Sequence, residues 1–188
     1  HYDWNPELAA SIKDLNQLMH RLNRFLDPAI RVYDAAEVAA DWHARFDATS
    51  RSYEYYMCDN GSQFHRKNAW MVEKMPNVDI MNEAARLLLE EQDFASFCKK
   101  GSDNKTTLCT VTNAEWEKQG ELWVFHITAD RFLRNMVRAI VGSLYEVGRG
   151  KWSVEEFRNR LLQKNRGAMG TSAPAQGLYL TKVTYKNL

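Results

Sequence analysis

Two hydrophobic periodicities alternate along the chain. Leu8, Ile12, Leu15, Met19, Leu22 and Leu26 recur at three- and four-residue steps, which predicts a helix with one apolar face over residues 5–26. Asn5-Pro6-Glu7 suits its start: Asn as the cap, Pro at the first helical position, an acid near the positive helix end. His20 lies beside that stripe and reads as a core or rim histidine rather than a ligand. The pattern then shortens to an extended segment over 27–33. Residues 50–58 alternate as a strand does, with Arg51, Tyr53, Tyr55 and Met57 on one side. A second helix is predicted over 79–91, and a hairpin over 106–117 and 121–130, closed near Gln119-Gly120. The strongest helical pattern covers 132–147, where Leu133, Met136, Val137, Ile140, Val141 and Leu144 form a wide apolar face. Ser153-x-x-Glu156 is a capping box that opens another helix, and 177–185 reads as a closing strand. The sum is an α+β fold, a mixed or antiparallel sheet flanked by helices, without repeats, low-complexity tracts or a flexible linker.

Composition narrows this little. A chain of 188 residues suits one domain, or one domain plus part of another, and its 45% hydrophobic and 26% charged residues are ordinary for globular proteins. With 25 basic against 24 acidic residues there is no overall basic field, so contact with nucleic acid would need a local patch. Cys58, Cys98 and Cys109 are odd in number, far apart and without a CxxC pair, which argues against a disulfide framework or a zinc site and fits a reducing cytoplasm. No apolar run approaches the roughly 20 residues that span a bilayer, and nothing at the start reads as a signal peptide. The chain opens with His1 rather than methionine, so its native start is expected upstream.

Three segments carry candidate chemistry. At about 100° per residue, Arg131, Arg134 and Arg138 fall away from the apolar face of the 132–147 helix, with Gly142 one turn beyond, where a partner could approach closely. Such a stripe is more often a plain solvated face. Tyr53, in Arg51-Ser52-Tyr53-Glu54-Tyr55-Tyr56, could stack on an extruded base and donate a hydrogen bond, although strands favour aromatics in any case. The small residues of 167–177 would let backbone come close to a ligand or another element, and Leu178 and Leu180 would then share one face. No phosphate-cradling glycine pattern is present.

In order, these segments resemble the TruA-type tRNA pseudouridine synthases. The resemblance lies in His43-Ala44-Arg45-Phe46 with Arg51-x-Tyr53-x-Tyr55; in Asp93-Phe94-Ala95-Ser96-Phe97-Cys98; in the 132–142 helix with its Val147-Gly148-Arg149-Gly150-Lys151 exit; and in Ala173-Pro174-Ala175-x-Gly177-Leu178. It implies a pseudouridine-synthase-type fold with an active site between two similar α/β halves. Residues 1–47 would be the remainder of the N-terminal half and 48–188 the C-terminal half. It also implies a homodimer acting on tRNA in the anticodon arm, with neither metal nor organic cofactor. Tyr53 would pack against the target base, Arg138 would pair with the catalytic carboxylate, and Leu178 would floor the pocket. Arg66, Lys67, Lys99, Lys100, Lys105 and Arg134 are candidate phosphate contacts, although loop lysines are more often simply solvated.

The family's nucleophile sits in a G-R-T-D-x-G-V-H-A motif, which does not occur among these residues. Neither Asp3 nor Asp130 stands in such a motif. The polypeptide is therefore expected to be inert by itself and active when its upstream segment is present. Two other classes remain open: a non-catalytic RNA-binding module lacking the aspartate even at full length, and a structural domain in which Tyr53, Arg138 and Leu178 do not come together.

Overall fold

A computed structural model describes residues 14–99, 101 and 105–186. The chain divides into two compact units, His1–Asp47 and Ala48–Leu188. In the first, α1 (Leu15–Phe25) begins at Asp14, whose backbone is extended and whose side chain accepts from the Asn16 N–H. The helix expected over 5–26 is therefore not continuous through residue 14: Asp14 satisfies the freed N–H groups of a new helix start instead. Asn5, Pro6, Leu8 and Ile12 lie outside the described residues. Leu15, Met19, Leu22 and Leu26 are half-buried, and His20 is exposed. In the segment expected to be extended over 27–33, a turn at Pro28-Ala29, closed by Ile30 N–H donating to Asp27 O, leads into 30–33, which lie in neither helix nor strand. Val32 is held by the Asn23 side chain, which donates to the Val32 carbonyl (2.8 Å) and accepts from its N–H (2.7 Å), as a strand partner would.

The second unit is built on a five-stranded mixed sheet: β1 (Ala48–Asp59), β2 (Trp70–Val72), β3 (Val111–Gln119), β4 (Leu122–Ala129) and β5 (Leu178–Tyr185). β1 is central. It pairs antiparallel with β4 on one side, antiparallel with β5 along its first half on the other, and parallel with β2 at its end. β3 and β4 form the expected hairpin, turning at Gly120, whose φ of 60° a residue with a side chain adopts less readily. The first hairpin strand begins at Val111 rather than near 106. The preceding stretch is committed elsewhere: Cys109 N–H donates to Gln92 O, and Thr110 N–H to the Asp130 carboxylate.

Helices α2 (Val78–Glu90), α3 (Met136–Gly148) and α4 (Val154–Leu162) supply the remaining core. Tyr55, Met57, Phe125 and Ile127 of the sheet are buried with Met81 and Leu88 of α2, Ile140 and Leu144 of α3, and Phe157 of α4. Fully burying each such side chain contributes about 2 kcal/mol, whereas a helix cap contributes about 1 kcal/mol, so this cluster rather than the caps holds the unit together. The Ser153–Glu156 capping box forms as expected. The other sheet face is polar: Tyr56 Oη donates to Glu54 (2.7 Å), and His126 lies 3.6 Å from both Glu54 and Glu117.

The helix expected to begin at Phe132 begins at Met136. Asn135 takes a left-handed backbone conformation (φ 69°) that interrupts the helix. Asparagine tolerates this better than other side-chain-bearing residues. Arg131 and Arg134 therefore precede the helix, and they do not form one helical stripe with Arg138.

Candidate active site

Tyr53 is half-buried in the middle of β1 and meets Phe132 edge-on, with ring centroids 5.0 Å apart at 83°. Burial pushes its phenol pKa up, an effect that the Arg51 guanidinium partly opposes. Two residues on, and so on the same face, Tyr55 is fully buried and donates to the Pro174 carbonyl (2.7 Å). The β1–β5 register sets Tyr55 opposite Leu178 and Tyr53 opposite Leu180. Leu178 thus stands on the face that carries Tyr53, packed against the core. Leu180 shares that face, as expected, but is 53% exposed.

Arg138 lies in the first turn of α3. Its Nε donates to Ala173 O at 2.7 Å, and its own carbonyl accepts the Ala173 N–H at 2.9 Å. Its charge is close enough to Tyr55 to oppose the upward push that burial gives that phenol. No carboxylate forms an ion pair with Arg138 among the described residues. Tyr53 and Leu178 share one face of the sheet, and Arg138 of α3 lies near Tyr55 on that face and is tied to the chain that leads from Ala173 to Leu178.

The small residues of 167–177 serve close packing against the chain itself. A Cβ on Gly142 would lie 1.8 Å from Thr171 O, and one on Gly170 3.0 Å from Gly142 O. The space expected beside Gly142 for a partner is filled by Thr171 backbone.

The basic candidates fall into two groups. Arg134 is exposed just before α3, and its carbonyl accepts the N–H of exposed Lys99. Lys105 is exposed in the same connection, and Lys100 lies outside the described residues. Arg66 and Lys67 are exposed in a turn beyond the far end of β1. Tyr53 and Asp59 are six residues apart in β1, so about 20 Å of strand lies between Tyr53 and the end of β1 that leads to Arg66 and Lys67. Sequence reasoning placed Phe132 only in the apolar period of the helix, and it missed Asn135 and Ser172, which no local periodicity marks. It also missed Phe64, which is 88% exposed beside Arg66 and Lys67; an aromatic among basic residues was the available signal.

Comparison with known proteins gives this arrangement its class. The profile of the tRNA pseudouridine synthases matches residues 84–186. The tRNA pseudouridine synthase A of Parabacteroides distasonis is 44% identical over 185 residues, covering 98% of this chain and 72% of the relative. That of Bacteroides fragilis is 46% identical over 186 residues, covering 98% and 72%. That of Bacteroides thetaiotaomicron is 50% identical over 177 residues, covering 93% and 66%. The chain belongs to the tRNA pseudouridine synthase family.

Proposed function

We propose that this chain supplies the arginine, tyrosine and leucine of a tRNA pseudouridine synthase site, in a protein that converts uridines of the anticodon arm to pseudouridine. In this isomerisation the bond between base and sugar breaks at nitrogen, the base turns, and one of its carbons bonds to the sugar. That carbon gives up a proton and the freed nitrogen gains one, so the balance needs no electron acceptor and no organic cofactor.

The observation that carries the reading is Arg138. Its Nε is committed to Ala173, its guanidinium has no acidic partner among the described residues, and it lies near Tyr55, which is paired with Leu178 and two residues from Tyr53. A carboxylate meeting this guanidinium stays ionised at neutral pH, as a nucleophile must. Phe132 and Leu178 give apolar walls, whose exclusion of water protects a detached base. Tyr53, its pKa raised, presents a neutral hydroxyl for stacking and proton transfer.

The nucleophilic aspartate belongs to the G-R-T-D-x-G-V-H-A segment, outside these 188 residues. The unit Ala48–Leu188 acts as the C-terminal half of the catalytic fold, in a homodimer working in the cytoplasm, and Arg134, Lys99, Lys105, Arg66 and Lys67 contact tRNA phosphates.

The test is tritium release from tRNA carrying uridine tritiated at the carbon that joins the sugar. Release by the chain extended upstream, and none by the 188 residues alone, is expected. No release by either overturns the enzyme reading in favour of an RNA-binding module. Release by the shorter chain overturns the placement of the nucleophile.

A further inference from the structure

We propose that Ser172 is a positioning residue for Arg138, held by Asn135 and Arg166 so that the neighbouring Ala173 carbonyl meets the Arg138 guanidinium. The inference rests on the role given above to Arg138.

The chain at 170–173 crosses the first two turns of α3. The absence of side chains at Gly142 and Gly170 sets how closely it crosses, since a Cβ on Gly142 would meet Thr171 O at 1.8 Å. The Gly170 N–H donates to Ser143 Oγ at 3.1 Å and the Ala173 N–H to Arg138 O at 2.9 Å, which pins the two ends of the crossing and leaves Ser172 between them. Two further side chains hold Ser172, and with it the direction of the Ala173 carbonyl that follows. Asn135 Nδ2 donates to Ser172 Oγ at 2.6 Å, and Arg166 Nη2 donates to the same oxygen at 3.1 Å. A hydroxyl oxygen has two acceptor sites, and both are used here. Arg166 also donates through Nη1 to Gly170 O at 2.9 Å, so its planar fork straddles Thr171 and ties both flanking residues to one rigid group.

The residue after Ser172 is the one Arg138 grips, through both its backbone groups. The left-handed conformation of Asn135 belongs to the same device. It caps α3 three residues before Arg138, and the side chain placed there is the donor to Ser172. The route from Arg166 to the Arg138 guanidinium is therefore two residues of backbone and two hydrogen bonds. None of these three residues need touch substrate.

The first test uses nitrogen-15 NMR of the 188-residue chain, reading solvent exchange of the Arg138 Nε–H. Ser172→Ala is expected to speed that exchange about tenfold, the factor set by the net worth of a hydrogen bond. Ser172→Thr, which keeps the hydroxyl, is expected to restore slow exchange. Asn135→Gly keeps the left-handed backbone and deletes the donor, and it decides the matter if Ser172→Ala does not fold. In the protein extended upstream, Ser172→Ala is expected to lower kcat about tenfold while KM for tRNA stays within about twofold, as a misplaced reacting group requires. Folded Ser172→Ala or Asn135→Gly with unchanged Arg138 exchange overturns the proposal. An Arg138→Lys enzyme with full kcat instead overturns the site reading, and the exchange measurement still decides whether Ser172 positions Arg138.

Discussion

Arg138 and Ala173 bond to each other twice, through Nε to carbonyl at 2.7 Å and through N–H to carbonyl at 2.9 Å. Lysine can replace neither the planar Nε–H nor the fork beyond it. Arg138→Lys is expected to cost about 1 kcal/mol of stability in urea unfolding of the chain. In the upstream-extended enzyme it is expected to lower kcat on the order of a hundredfold, as removal of a preorganised charged donor does.

Gly142 has no room for a side chain, because the nearest atom is a backbone oxygen that cannot swing aside. Gly142→Ala must push the 170–173 segment off α3, at a cost of about 3 kcal/mol. Equilibrium unfolding checks this, and Gly150→Ala is no substitute control, since at φ +77° its strain comes from backbone and not from a neighbour.

Tyr53 has a raised pKa, with burial as the larger cause and Arg51 opposing it. The folded state therefore favours the protonated phenol. Its contribution to stability is complete below the ordinary tyrosine pKa of about 10 and is lost as pH rises through the folded value. Ultraviolet titration of the tyrosinate band, compared between the chain and Tyr53→Phe, is expected to show the missing proton leaving above that ordinary value.

Glu91 behaves in the opposite sense. Burial pushes its pKa up, but the Lys164 ammonium at 2.6 Å and the backbone N–H groups of Asp93 and Gln92 more than offset this, and the net shift is downward. Its contribution is complete above about pH 4.3 and is lost as pH falls through the depressed folded value. Lys164→Met is expected to move acid unfolding to higher pH, read by circular dichroism.

Neutralising a side chain that meets a phosphate changes the salt dependence of binding before it changes anything at the base. Replacing Arg134, Lys99 and Lys105 together with Gln is expected to flatten the log Kd against log salt slope for tRNA by a little under one unit for each phosphate left without its cation, roughly 0.9 each. The Arg66 and Lys67 pair, at the other end of β1, is expected to add its own independent decrement. An unchanged slope in either case removes that group from the RNA surface.

The family motifs were legible in the chain because they are runs of residue types. The hairpin turning at Gly120, the α2 periodicity and the Ser153–Glu156 box were legible because each is a local pattern answered by a local structure. The helix over 132–147 was overextended for the same reason: Phe132 and Leu133 continue its apolar period. What ends the period is the left-handed Asn135, whose side chain is bound to Ser172, 37 residues away.

By itself, then, the sequence determined the α+β class, most element types and the family, since periodicity, caps and motifs are read over a few residues at a time. Tertiary structure alone decided that Thr171 fills the space beside Gly142, that Leu178 is packed while Leu180 is exposed, and that Arg138 parts company with Arg131 and Arg134. Each of these depends on which distant backbone lies against which face. That is set by the packing of β5 and the 170–173 segment on β1 and α3, which brings together residues more than a hundred positions apart in the case of Tyr55 and Pro174.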